Sequence, residues 1–316
     1  MTPLRVASLV EGRLAGSSMR ARPGPFSFQY GGLTAVAVGI LLVGVATPAL
    51  SGGGATGVAC LLLLVFGLPH GALDIATIRR TAPNAQQLVV GTYLAAAAAM
   101  FVVWWATALA GLAIFYTVSI IHFADDWEND HEPFFGNAIA LAFLSAPTIL
   151  HGGDLQGLFV ALTNDHRAAL LADILELVAP VAIAVTLVGL ATMQSPQRSI
   201  ECFCGLVAML ILPPVIGFAV FFCLFHSPRH FREGWAALGP NVASGTTVRV
   251  AAMTLAGFGI AAIIYAVSGQ LRLPTGVFAA SMMTLSVLTV PHMLLQRIVE
   301  SGTVWARSRQ SGFLAA

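Results

Sequence analysis

Apolar residues run on for some twenty positions at a time along this chain. The runs fall at roughly 31–50, 55–78, 87–107, 109–127, 135–151, 170–192, 202–235, 248–268 and 275–299. A helix of ~20 apolar residues crosses a hydrocarbon core ~30 Å thick, whereas barrel strands are short and alternate apolar with polar. The pattern therefore predicts an all-α, polytopic transmembrane helical bundle of about eight to ten membrane helices. Two places break it. Pro213-Pro214 interrupts the seventh run, so that run is a broken helix or two segments. The stretch 152–169 is the longest partly polar connection and has room for a short interfacial helix.

Composition sharpens this reading. Hydrophobic residues make up 57% of the 316 and charged residues 9%, against ~25% charged in ordinary globular chains. A soluble domain could not cover its surface with so few polar groups, and disorder requires the opposite balance. The net charge of +1 points to no nucleic-acid partner. All of the basic residues are Arg, with no Lys. A retinal Schiff base needs a lysine amine and a P-loop needs its Lys, so a rhodopsin-type receptor and a P-loop ATPase are both excluded. Cys60, Cys202, Cys204 and Cys223 sit in apolar stretches as small packing residues and form no disulfide framework.

The domain organisation follows. Residues 1–28, with Arg5, Arg13, Arg20 and Arg22, are expected to be a mobile basic tail without the apolar core of a signal peptide. Residues 29–300 form the membrane-embedded domain, and 301–316 a polar C-terminal tail. The location expected is the inner membrane of a bacterial-type cell with the N-terminus cytoplasmic. Arg79 and Arg80, closing the second run, agree with that orientation. Arg307 and Arg309 would be outside after nine crossings, which leaves the helix count and the C-terminal side open.

Chemistry enters with the histidines. His131 and His166 lie in polar connections, and His151 ends a run before Gly152-Gly153. His70, His122, His226, His230 and His292 lie within or near apolar runs, where ionisable groups are expensive and usually face an interior site. His226 and His230, in H-S-P-R-H, are four apart on one helical face and could bind one metal ion together. Asp74 follows His70 by four residues, Asp126 follows His122 by four, and Gln296 follows His292 by four. Carboxylates so placed could accept the second ring N–H of a metal-bound imidazole, on their own helix or on a neighbour. Asp125, Glu128, Asp130 and Glu132 read instead as a solvated acidic loop. Imidazoles without thiolates suit Fe, Cu, Zn or Ni. H-E-x-x-H is absent, which argues against a zinc protease. The supply of His is short for a di-iron hydroxylase or desaturase and exceeds what a bis-His haem needs. One mononuclear non-haem Fe(II) with open positions for O₂ fits the count best.

G-L-P-H-G-A-L-D from Gly67, H-F-A-D-D from His122, F-H-S-P-R-H from Phe225 and P-H-M-L-L from Pro291 resemble the motifs of the Brp/Blh family of membrane β-carotene 15,15′-dioxygenases. The resemblance covers about residues 55 to 300, with all four motifs in order. It implies cleavage of the central double bond of β-carotene by O₂, giving two retinals, with Fe(II) as cofactor and His70, His122, His226 and His230 as ligands and catalytic residues. His292, Asp74 and Asp126 would be outer partners of those ligands, His292 also an alternative ligand. The implied partners are β-carotene, O₂, the lipid bilayer and a rhodopsin to receive the retinal. Tyr93, Trp104, Trp105, Phe115 and Tyr116 lie between the first two His motifs and are the candidates for lining a carotenoid tunnel. The competing readings are a di-iron carotenoid or lipid hydroxylase and a non-catalytic carotenoid or metal carrier.

Overall fold

The computed structural model describes residues 53–81, 86–127, 133–193, 195–238 and 244–294. Ten α-helices precede a last one in this order: α1 Gly53–Thr81, α2 Gln86–Ala106, α3 Ala108–Asp125, α4 Pro133–Ser145, α5 Pro147–Thr163, α6 Ala169–Thr192, α7 Pro196–Ile211, α8 Pro214–Phe221, α9 Ser227–Ala237 and α10 Ser244–Val267. The last, α11, is Val277–Leu294. No strand occurs among the described residues. The molecule is an all-helical bundle.

Local chemistry explains the helix boundaries. Thr107 caps α3 by accepting from the Ala110 N–H, and Ser195 caps α7 by accepting from Arg198, with Pro196 in the first turn. Asn164 ends α5 in the left-handed conformation, at φ 54°. Asp165 then caps a short 3₁₀ turn, His166–Ala168, and pairs with Arg167 at 2.7 Å. That ion pair holds the half-buried Asp165 carboxyl below its ordinary range.

Five stretches among the described residues are long and apolar enough to cross a membrane: Gly54–Leu73, Ala108–Asp125, His166–Thr192, Gly245–Val267 and Val277–Leu294. A sixth arises if α4 and α5, bent by 55° at their junction, count as one broken span. These apolar helices make the chain a membrane protein. Several departures from the sequence reading separate this count from eight to ten. The run 31–50 lies outside the described residues. Only Val90–Ala106 of α2 qualifies as apolar helix, and it is short. The run 202–235 is divided among α7, α8 and α9. Stretch 152–163, expected as a partly polar connection with room for a short interfacial helix, is helical and continues α5. Its polar groups are tolerated because they turn outward, with Asp154 largely exposed and Gln156 donating to Asp173 on α6 at 2.6 Å.

α11 is the most deeply buried of the five candidate spans, with Ser281, Thr284 and Ser286 buried among its apolar residues. Small side chains of this kind let helices approach closely, and their hydroxyls bond within or across helices. The Trp104 indole of α2 donates to Ser286 Oγ at 2.9 Å, and Thr284 donates to the Ala280 carbonyl. Elsewhere α1 packs on α8, α9 and α10, α2 on α3, and α3 on α4. The contact of α4 with the end of α3 requires a glycine: a Cβ at Gly136 would stand 2.9 Å from the Ala124 carbonyl oxygen.

Candidate metal centre

Four helices, α3, α7, α9 and α11, deliver the polar groups of the interior site. Phe115, Ser119 and His122 of α3 are spaced four and three apart, share one helical face, and are all buried. α3 stops at Asp125, and the chain turns so that the Trp127 N–H reaches the Ala124 carbonyl at 3.0 Å. Asp126, the capping residue of that turn, thereby remains beside His122 inside the protein, where its carboxyl is almost fully buried.

His226 and His230 come from the divided run. Pro228 has no N–H for the carbonyl four residues back and its ring crowds that carbonyl. The helix absorbs the fault as a wide π turn, Phe222–His226, in which the Ser227 N–H bonds to the Phe222 carbonyl five residues earlier. Such turns recur at functional sites. α9 then resumes and presents His226 and His230 one turn apart. The Ser227 hydroxyl donates to the Phe66 carbonyl and ties this turn to α1.

One nitrogen each from His122, His226 and His230 can be chosen so that all three lie within 4.8 Å of one another. The ring centres of His122 stand 4.8 Å from His226 and 5.2 Å from His230, and those of His226 and His230 are 4.5 Å apart. This group could hold a metal ion. Asp126 orients two of the rings. Its Oδ2 accepts from His226 Nδ1 at 2.8 Å and its Oδ1 from His230 Nε2 at 2.7 Å. Each imidazole thus gives one N–H to the carboxylate and keeps its other nitrogen as a lone-pair donor, the form a metal requires.

The Asp126 carboxylate is itself held. Arg229 stands 3.9 Å from Oδ2 and donates to Glu201 at 2.8 Å. Arg198 donates to the Asp126 carbonyl and pairs with Glu201 at 3.6 Å. Both guanidinium groups lie over the Trp127 ring, at 4.6 and 5.3 Å from its centre. A buried carboxylate is tolerated when donors and counter-charges surround it in this way. Phe123 and Phe222 flank His226, with ring centres 4.7 and 5.1 Å away.

An apolar cavity of about 210 Å³ meets the group at His122. Gly67, Gly71, Tyr93, Ser119, Phe222 and His292 are in its wall. It opens outward between α2 and α10, where the lining residues Leu94 and Met253 are exposed. A smaller cavity of about 70 Å³ lies beside it, with Phe115, Ser119 and Phe218 in both walls.

The sequence-predicted residues are placed as follows. His122, His226, His230 and Asp126 are brought together. His292 is buried, with its ring centre 5.1 Å from that of His122. His70 and Asp74 lie one turn apart on α1, but their side chains are outside the described residues, as are Glu128, Asp130, His131, Glu132 and Gln296. Tyr93 lines the larger cavity, Tyr116 the smaller and Phe115 both. Trp104 and Trp105 line neither. Trp104 is fully buried against Gly111 and bonded to Ser286, and Trp105 points outward, 59% exposed. The sequence reading missed Ser119, Phe218 and the whole support of Trp127, Arg198, Glu201 and Arg229. Ser119 alone left a signal, its spacing to His122 on one face of α3.

The sequence profile of a family described as beta-carotene 15,15′-dioxygenase matches residues 61–300. The chain belongs to this family. The β-carotene 15,15′-dioxygenase profile spans every helix that contributes to the site, from α1 to α11. A beta-carotene 15,15′-dioxygenase of the uncultured marine bacterium 66A03 is 30% identical over 265 residues, which cover 74% of this chain and 90% of that protein. No solved structure matches the chain.

Proposed function

We propose that this chain cleaves the central 15,15′ double bond of β-carotene with O₂ and releases two molecules of retinal. Membership of the β-carotene 15,15′-dioxygenase family supports the substrate and the reaction. The single observation that carries the chemistry is the group of three imidazoles, met at His122 by an apolar cavity open to the outside of the bundle. The metal is Fe(II), bound by His122, His226 and His230, with His70 as the fourth ligand and His292 beside them. When bound, Fe(II) supplies the open-shell centre that O₂ requires to react with a closed-shell polyene.

The remaining steps belong to the protein. Asp126 fixes the proton of His226 on Nδ1 and that of His230 on Nε2, which leaves the lone pair of the opposite nitrogen on each ring to hold the metal when it is bound. Phe115, Tyr93 and Phe222 hold the polyene so that one chosen bond lies beside the site, and selectivity follows from that positioning. Apolar walls exclude water from the reacting bond. The balance is simple: one C=C and one O–O bond break, two C=O bonds form, and no external reductant is consumed. Substrate enters sideways from the bilayer of a bacterial-type inner membrane, past Leu94 and Met253, and the retinal serves a rhodopsin-type acceptor. Expression in a β-carotene-producing host tests the reading. Bleaching with accumulation of retinal supports it, and unchanged pigment removes it.

A further inference from the structure

Arg229 stands between the two imidazoles of H-S-P-R-H, so its backbone is placed with theirs and its side chain has two carboxylates within reach. It takes Glu201. Its Nη2 donates to Glu201 Oε2 on α7 at 2.8 Å, while Nη1 stops 3.9 Å from Asp126 Oδ2, beyond hydrogen-bond distance. Two features hold the guanidinium there. It lies over the buried Trp127 ring, 5.3 Å from the centre. Glu201 is itself fixed, with Arg198 at 3.6 Å from Oε2 and the Gln197 amide donating to Oε1 at 3.2 Å. Asp126 Oδ2 is thereby left to accept from His226 Nδ1. Arg229 is buried, and Glu201 is half-buried.

We propose that Glu201 is a positioning residue for the metal group, and that it acts by keeping the Arg229 guanidinium off Asp126. This rests on the metal-site part of the reading above. A metal-bound imidazole owes part of its donor strength to the acceptor on its second N–H, and here one carboxylate serves two rings. A guanidinium closing on that carboxylate forms charge-assisted hydrogen bonds with it. It then competes with His226 for Oδ2 and neutralises the charge that draws both imidazole protons. It also brings a full positive charge nearer to a bound cation. Arg229 cannot shed its proton, and a buried guanidinium needs an acceptor. Without the Glu201 carboxylate, the one already at 3.9 Å is that of Asp126. Glu201 thus works through Arg229, and a change that takes the guanidinium away also takes away the need for Glu201.

The test is titration of the metal-free full chain with Co(II), whose visible absorption reads both the affinity and the ligand set. Helical content is measured on each variant to show that the bundle is assembled. Glu201→Gln should weaken Co(II) binding about tenfold, the lower end of the range for direct partners of metal-bound His, and shift the visible bands. Adding Arg229→Gln to that variant should bring the affinity back to within about threefold of wild type, a coupling that a clamp between two helices does not produce. If Glu201→Gln does not assemble, Glu201→Asp carries the same test, since it keeps the charge but falls short of Arg229 by one methylene. It should show a smaller loss in the same direction, again relieved by Arg229→Gln. Wild-type affinity in an assembled Glu201 variant, or a double variant that binds no tighter than the Glu201 variant alone, overturns the proposal while the function stands. A wild-type chain that binds no Co(II) overturns the metal-site reading, and the proposal with it.

Discussion

Asp126→Asn is the substitution that tests the geometry of the metal group most sharply. The carboxylate accepts from two buried imidazoles at once, His226 Nδ1 at 2.8 Å and His230 Nε2 at 2.7 Å. Asparagine keeps the shape but offers one accepting oxygen and one donating NH₂. One imidazole then meets a donor where it needs an acceptor. It can relieve the clash only by shifting its proton to its other nitrogen, the one needed as a lone-pair donor to the metal. One charge-assisted hydrogen bond in a buried site is worth about 1.5–3 kcal/mol, so, charged wholly against metal binding, its loss lowers affinity about 10- to 150-fold. That agrees with the roughly 10- to 100-fold effect of removing partners of metal-bound His in general. The assay is titration of metal-free protein with Fe(II), with iron per chain and cleavage rate read at each addition. Asp126→Asn should need far more Fe(II) for half-saturation and should regain part of its activity at excess. Asp165→Asn, which removes a half-buried carboxylate paired with Arg167 at the end of α5, should titrate like the wild type. Wild-type iron affinity in Asp126→Asn would refute the claim that this carboxylate sets the tautomers.

Other expectations follow from named contacts. His122→Ala, His226→Ala and His230→Ala each remove one of three converging imidazoles, so each should lose nearly all bound iron and cleavage while still inserting in the membrane; a ferrous chelator should do the same to the wild type, reversed by added Fe(II). Gly136→Ala places a Cβ 2.9 Å from the Ala124 carbonyl and should cost about 1–3 kcal/mol as α4 is forced off α3, seen as a lower melting temperature. Trp104→Phe removes the indole donor to Ser286 and should cost about 1 kcal/mol of stability with iron content unchanged.

The helical class was legible because apolar run length is a one-dimensional property. That His226 and His230, and likewise His122 and Asp126, stand one turn apart was legible for a similar reason, since four residues make about one helical turn. The sequence reading left open whether a carboxylate would serve its own helix or another, and Asp126 bonds to residues 100 and 104 positions away. The support of Arg198, Glu201, Arg229 and Trp127 could not be read in advance, because such pairings depend on which helices meet. Likewise Pro228 cannot continue a regular helix, but its resolution as a π turn accompanies the contacts of Ser227 with Phe66 and of Phe222 beside Gly67 on α1. Trp104 and Trp105 were adjacent aromatic candidates, and helical rotation sends one to the core and the other outward. The polar residues of 152–163 suggested a connection with a short interfacial helix at most, because their outward orientation is a property of the bundle, not of the segment.

The most direct test of the central claim is product analysis of the purified, Fe(II)-loaded chain incubated with β-carotene under ¹⁸O₂. The account predicts loss of the pigment with two equivalents of retinal per carotene, each labelled from O₂ when exchange with water is suppressed. An alcohol on an intact C40 skeleton, or unchanged pigment bound to the protein, would contradict it.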